Sequence, residues 1–301
     1  MNNMPAEHKP VLAELIGAEL KPKSDAVVVD ATLGFAGHSS IFAQSLGPDG
    51  VLVGFDVDPK CLEASRQSLS NLPCKVLLIR RNFSEIADSL RENGIDAADL
   101  IFADLGVCSG QLADTERGLS FQQDMKLDMR LDDRLEMTAA DIINSMDENG
   151  LADLIFKFGQ ERASRRIARS IVQYRKSARI KTTTVLVDVI CRAFGCNPNA
   201  RRSRIHPATK TFQALRIAVN DELDNLEKFL QAIPLLLRKD GRAAVISFHS
   251  LEDRLVKNNF RLNKTAGIYD IITKKPIIAS RQEMFDNPRS RSAKLRIAVK
   301  I

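Results

Sequence analysis

Ala26-Val27-Val28-Val29-Asp30-Ala31-Thr32-Leu33-Gly34-Phe35-Ala36-Gly37-His38-Ser39 is the stretch that decides the fold. Its apolar, β-branched start reads as a buried strand. The glycine-containing turn that follows opens a helix, where backbone can approach a ligand without an intervening Cβ. Upstream, residues 11–20 follow helical spacing behind Pro10, and a polar break at residues 21–25 separates the two elements. Downstream, apolar runs at 51–55, 75–79 and 98–103 alternate with helix-length segments at 38–46, 59–70 and 84–93. Continuous apolar strands joined by helices predict a mostly parallel α/β sheet covered on both faces, with ligands at the carboxyl ends of the strands. Those ends carry Asp30, Asp56, Asn82 and Asp104.

After residue 110 the rhythm changes. Residues 111–133 are turn-rich, and 138–216 read as successive helices with a turn at Gly195 to Asn199. The α/β pattern then resumes with a helix ending near Arg238, a turn at Lys239-Asp240-Gly241, a strand at 242–248 and a closing strand at 295–301. The expected organisation is a split core of 1–110 and 217–301 with an all-helical insert at 111–216. The chain of 301 residues is 44% hydrophobic and 27% charged, with no apolar run of membrane length, so a soluble globular protein is expected. Residues 1–9 lack the pattern of a secretory or organelle leader, which makes the cytoplasm the default location. The five cysteines, Cys61, Cys74, Cys108, Cys191 and Cys196, are scattered and do not complete a zinc pattern; they read as reduced thiols, and no metal is expected.

Charge is unevenly distributed. The whole chain carries +6, whereas residues 151–216 hold fifteen Lys/Arg against three Asp/Glu. Such concentration is either a solvated helical face or the footprint of a polyanion such as nucleic acid. Arg162, Arg165, Arg166 and Arg169 recur at helical spacing, and Arg201, Arg202 and Arg204 add a basic loop; these seven are the candidate RNA contacts.

The turn after the first strand offers only Gly34 and Gly37, which argues against the G-x-G-x-x-G of a dinucleotide fold and hydride transfer. The second strand ends in Gly54-Phe55-Asp56-Val57-Asp58-Pro59, placing Asp56 where a carboxylate accepts hydrogen bonds from both ribose hydroxyls of a nucleoside. Asp58 before Pro59 fits a helix cap better, which leaves Asp56 for the ligand. Phe83, after the third strand, is placed to pack on adenine, and Asp104 and Gln111, after the fourth, are the polar candidates near a transferred group.

Ile205-His206-Pro207-Ala208-Thr209-Lys210-Thr211-Phe212-Gln213-Ala214-Leu215-Arg216 and Ser247-Phe248-His249-Ser250-Leu251-Glu252-Asp253-Arg254 together resemble the MraW (RsmH) family. The resemblance extends through the Asp30–Ser39 turn, Asp104-Leu105-Gly106-Val107, Glu116-Arg117-Gly118, Leu127-Asp128-Met129-Arg130 and Asn287-Pro288-Arg289-Ser290-Arg291-Ser292, nearly the whole chain. It implies a Rossmann-like methyltransferase using S-adenosylmethionine on the N4 amine of a cytidine in the decoding region of small-subunit ribosomal RNA, with the RNA or the small subunit as partner. By the same resemblance, the cofactor contacts are Ala36, Gly37, His38, Asp56, Phe83, Asp104 and Gln111. The chain departs from the family at Ala36 (usually Gly), Cys108 (usually Ser), Gly110 (usually Pro) and Met125-Lys126 (usually Gly-Pro).

Methylating an exocyclic amine requires alignment and a proton acceptor. Asp104 is the first candidate, with a purely cofactor-binding role open beside it. His249 is the second, with a role as cap of the helix begun by Ser250-Leu251-Glu252-Asp253 open beside it. Cys108 raises the alternative of a thiolate mechanism at cytosine C5, against which the family's serine counts. A non-catalytic RNA-binding or ribosome-assembly factor that keeps the fold is the rival from another class.

Overall fold

The computed structural model describes residues 10–196 and 206–301, which fall into two compact units: residues up to Gly106 with Leu223–Ile301, and Val107–Glu222. The sequence placed these breaks at 110 and 216.

The first unit is built on a seven-stranded sheet in the order β3-β2-β1-β4-β5-β7-β6. Its strands are β1 (Val27–Asp30), β2 (Val51–Phe55), β3 (Lys75–Ile79), β4 (Ala98–Asp104), β5 (Leu237–Ser247), β6 (Tyr269–Ile271) and β7 (Lys294–Lys300). β1 to β5 are parallel, and β7 runs antiparallel between β5 and β6. This is the mostly parallel Rossmann-like α/β core that was expected.

Alternate side chains divide between two apolar layers, as the twofold period of a strand requires. Val28, Leu52, Leu100, Phe102 and Ile246 pack with the helices α1 (Ala13–Glu19), α2 (Gly37–Ala43) and α3 (Pro59–Ser68). Val29, Val53, Phe55, Ile101 and Val245 pack on the other face with α4 (Ile86–Glu92) and, after the insert, α11 (Glu222–Leu236) and α12 (Ser250–Thr265). β1 lies between β2 and β4: the chain builds outward through β2 to β3 and then crosses back to β4 on the other side of β1. The crevice beyond the carboxyl ends of β1 and β4 is the switch point where such sheets take ligands.

Two strands differ from expectation. The turn at Lys239-Asp240-Gly241 lies within β5 as an irregularity: Ala98 pairs with Leu237 but Leu100 with Arg242, and Asp240 absorbs the bend at φ 66°. β6 was not foreseen, because three residues carry too little periodicity to read.

The second unit holds α5 (Ser109–Ala113), α6 (Ala139–Ser145), α7 (Glu148–Gly159), α8 (Ser164–Arg175), α9 (Thr183–Phe194) and α10 (Thr209–Val219). Ile143, Leu151, Ile155, Ile167, Ile171, Leu186, Ile190 and Leu215 form its fully buried core. Two of the quoted motifs serve its scaffold. Arg130 grips the buried Asp128 through two 2.8 Å bonds. Burial alone would raise the Asp128 pKa, but those bonds hold it below the usual carboxylate value. The Arg117 guanidinium donates to the carbonyls of Arg130 and Leu131 at 3.2 and 2.8 Å. Among the described residues no helix is long and apolar enough to cross a membrane.

Candidate active site

The turn after β1 is shaped by internal hydrogen bonds. Asp30, 1% exposed, accepts from the Thr32 N–H and the Ser39 hydroxyl at 3.1 and 2.7 Å. Burial outweighs these bonds and raises its pKa to about 6. The Gly34 N–H donates to Asp56 Oδ2 and the Asp58 N–H to Asp56 Oδ1, each at 2.8 Å. One bond to each oxygen leaves lone pairs on both for further donors. Burial, set against those two bonds, raises Asp56 to about 7. Asp58 caps α3 by accepting from the Lys60 N–H, the role read for that residue from the sequence.

Ala36 lies in this turn, just before α2. It sits at φ 61°, where a Cβ costs about 1 kcal/mol, and its methyl is fully buried in the core layer. Its N–H donates to the Leu33 carbonyl at 2.8 Å, and its own carbonyl accepts from the Ser40 N–H and hydroxyl. Both of its backbone groups are thus bonded within the turn. Gly37 begins α2 against Pro10, whose Cγ would lie 2.7 Å from an added Cβ.

His38 and Asp104 come together at the switch point. His38 Nε2 donates to the Val11 carbonyl at 2.9 Å, its ring lies 4.8 Å from that of Phe102, and Nδ1 is 3.6 Å from Asp104 Oδ2. The Asp104 N–H donates to the Thr32 hydroxyl at 2.6 Å, fixing the strand end against the turn. Asp104 Oδ1 is buried and has no partner. Burial first, then the charges of Asp30 and Glu252, push the Asp104 pKa well above the carboxylate range. A buried, unpaired carboxyl oxygen is costly in a finished fold and is characteristic of a site that a ligand completes. Thr32 and Glu252 were not singled out for this site, because nothing local in the sequence ties them to Asp104.

His249 stands at the start of α12. Its Nδ1 accepts from the Glu252 N–H at 3.3 Å, while Glu252 Oε2 accepts from the N–H groups of Phe248 and His249, closing a capping box at the start of α12. Nδ1 is thus engaged by the helix terminus, while Nε2 lies buried 3.1 Å from Glu252 Oε1. The geometry makes His249 a cap.

Phe83 starts a short 3-10 turn and meets Phe229 edge-on at 5.3 Å, leaving it partly exposed. Gln111 lies in the second unit, 7% exposed, where its Oε1 accepts from the Cys108 N–H at 3.1 Å. Cys108 is half-buried and caps α5.

In the second unit, Arg162 precedes α8, and Arg165, Arg166 and Arg169 project from its exposed face opposite Ile167 and Ile171. Arg166 lies over the Phe194 ring at 4.7 Å. A groove of about 470 Å³ between α8 and α9 is lined by Arg166, Arg169, Gln173, Tyr174 and Arg192. Arg192 escaped the sequence reading because it reaches this groove from a different helix. Arg201, Arg202 and Arg204 lie outside the described residues.

The sequence pattern of the MraW methylase family matches residues 5–301. Ribosomal RNA small subunit methyltransferase H of Geobacter sp. (strain M21) is 46% identical over 310 residues, covering 98% of each chain. The protein of the same name from Acidobacterium capsulatum is 46% identical over 301 residues, covering 97% of this chain and 98% of its own. An rRNA methylase structure from Streptococcus thermophilus aligns over 99% of both chains at 11% identity with a TM-score of 0.43.

Proposed function

Because the chain belongs to the MraW methylase family, we propose that it transfers the methyl group of S-adenosylmethionine to the N4 amine of a cytidine in the decoding region of small-subunit ribosomal RNA. The observation that carries the chemistry is Asp104 Oδ1, buried without a partner at the switch point of the sheet. Relatives named as small-subunit ribosomal RNA methyltransferases support the substrate, and with them the non-catalytic reading is not favoured. The substrate assignment goes with a cytoplasmic protein.

The residues present fit the cofactor. Asp56 keeps lone pairs on both oxygens for the ribose hydroxyls. Phe83 offers a partly exposed ring for adenine, Gly34 to His38 would shape the floor, and the Asp104 carboxyl would meet the methionine part. Bound there, S-adenosylmethionine supplies an electrophilic methyl group on a positively charged sulfur. A cation beside Asp104 favours its ionised form and opposes the burial that raises its pKa. Ionised Asp104 then accepts an amine proton of the target base at Oδ1, while the His38 ring lies beside the carboxyl with Nδ1 3.6 Å from Oδ2. The conjugated amine is a weak nucleophile, so the main contributions of the chain are alignment and removal of that proton. Arg162, Arg165, Arg166, Arg169 and Arg192 are assigned to RNA phosphates, and Arg201, Arg202 and Arg204 join them from the sequence alone.

The test is transfer of labelled methyl from S-adenosylmethionine to small ribosomal subunits taken from cells lacking the enzyme. Label is expected in small-subunit RNA and absent from large subunits and DNA. Label in DNA, or none in RNA, would contradict the assignment.

A further inference from the structure

The motif Asn287-Pro288-Arg289-Ser290-Arg291-Ser292 has no part in the site described above. It lies at the same edge of the sheet, because β7 begins where β5 ends: Lys294 pairs with Ser247. The segment from residue 272 to 294 therefore runs along the carboxyl edge, beyond the strands that carry Asp30 and Asp104. It is tied to β7 by reciprocal bonds between Ile277 and Leu295. Within it, α13 (Arg281–Asp286) anchors to the start of the chain, where Glu283 Oε1 accepts from the Leu12 N–H at 2.6 Å. The neighbouring Val11 carbonyl holds His38. A short run of hydrogen bonds thus connects α13 to the turn beside Asp104.

The surface of this segment combines two properties. It has five cations, Lys274, Lys275, Arg281, Arg289 and Arg291, against two acids, with a sixth, Lys294, paired to Asp253 at 3.3 Å. One of those acids, Glu283, is engaged by Leu12. It also carries Phe285 at 79% exposure, with Ile278 at 58%. Among the described residues no aromatic ring is more exposed than Phe285. In the 3-10 turn Pro288–Ser292, Ser290 is fully buried and Arg291 stays exposed. An exposed ring on a segment rich in cations suits a strand whose bases present π-faces and whose backbone is a polyanion. A lipid surface would call for a longer amphipathic helix than the six residues of α13.

We propose that residues 272–294 form a second RNA-binding surface, on the core unit itself, where a base of single-stranded RNA stacks on Phe285 and the surrounding Lys and Arg side chains hold its phosphates. This rests on the RNA reading of the preceding subsection. The surface takes nucleotides flanking the target and adds affinity that the basic helical unit does not supply.

The test is equilibrium binding of a short labelled single-stranded RNA containing the target cytidine to the full chain and to Phe285→Ala, Phe285→Leu and Phe285→Trp. The Ala and Leu variants should each bind about 5- to 100-fold more weakly, and Trp should match or exceed the parent, since every base stacks on an aromatic face. S-adenosylmethionine affinity should not change in any of them. Equal RNA binding by the parent and the Ala variant would overturn this surface while leaving the methyltransferase reading intact. Restoration by Leu, or a change in self-association without a change in RNA affinity, would also overturn it by making the face an apolar protein contact. A parent chain that neither binds nor methylates the RNA would remove the underlying reading and this proposal with it.

Discussion

The ribose-holding role proposed for Asp56 predicts that cofactor affinity depends on pH in a defined direction. Burial raises the Asp56 pKa to about 7, so the free protein carries a protonated carboxyl below that value. Ribose hydroxyls donate to the ionised form, and binding below pH 7 must therefore release a proton. Between about pH 8 and pH 6 the ionised fraction falls roughly tenfold, so the dissociation constant should rise about tenfold, or ~1.4 kcal/mol. Asp104 adds a second dependence, but only for a ligand with a sulfonium charge. S-adenosylhomocysteine carries the same ribose without that charge, and its pH profile isolates Asp56. Calorimetry in buffers of different ionisation enthalpy would count the protons directly. For Asp56→Asn, the profile of S-adenosylhomocysteine should be flat and affinity at about pH 8 lower by ~1.5–3 kcal/mol, the range for a hydrogen bond to a charged group. An S-adenosylhomocysteine affinity that does not change across this range in the parent protein would refute the reasoning. The sign for folding is the reverse. A pKa raised in the folded state gives stability that is full below the unfolded value near 4 and is lost as pH rises through about 7, so the ligand-free protein should melt higher at pH 5 than at pH 8.

Asp104→Asn should keep S-adenosylhomocysteine affinity within a few fold and lose about 10²-fold or more in turnover, the usual scale for a proton acceptor; single-turnover transfer at the parent rate would eliminate that role. Gly118→Ala should cost more than about 3 kcal/mol, because an added Cβ would overlap the Lys126 carbonyl oxygen at a residue held at φ 63°; thermal melting that matches the parent would contradict this. Arg166→Gln with Arg169→Gln should lower the slope of log affinity for RNA against log salt by roughly 1.4, the value for two lost contacts to a single strand. An unchanged slope would move the phosphates elsewhere. Cys108→Ala should retain transfer, since the structure uses Cys108 as a helix cap; complete loss together with a covalent adduct to a cytosine analogue would support attack at C5 instead.

The first four strands were legible because each is a short apolar run whose two faces are both covered, so hydrophobicity alone marks it. The ligand edge followed, because parallel strands all end on one side, and Asp30, Asp56 and Asp104 are their terminal residues or next to them. β6 and the true start of β5 were not legible: one has three residues, and the other passes through a turn that looks like a terminator. At the site, the sequence could place a residue but not say where its hydrogen bonds go. Ala36 and His249 sit where they were expected, yet the Leu33 carbonyl takes the N–H of the first and the Glu252 N–H takes the lone pair of the second. The charge of the helical unit was plain in the sequence, whereas the groove is not, since Arg192 joins Arg166 and Arg169 only through the packing of α9 on α8.

The central claim is the position of the new methyl group. The most direct measurement is to methylate small ribosomal subunits from cells lacking the enzyme with labelled S-adenosylmethionine, digest the RNA and identify the labelled nucleoside by chromatography and mass spectrometry. The account predicts N4-methylated cytidine from the decoding region, formed by the parent chain and lost with Asp104→Asn. Label in C5-methylated cytidine, or in any nucleoside without an exocyclic amine as acceptor, would contradict it.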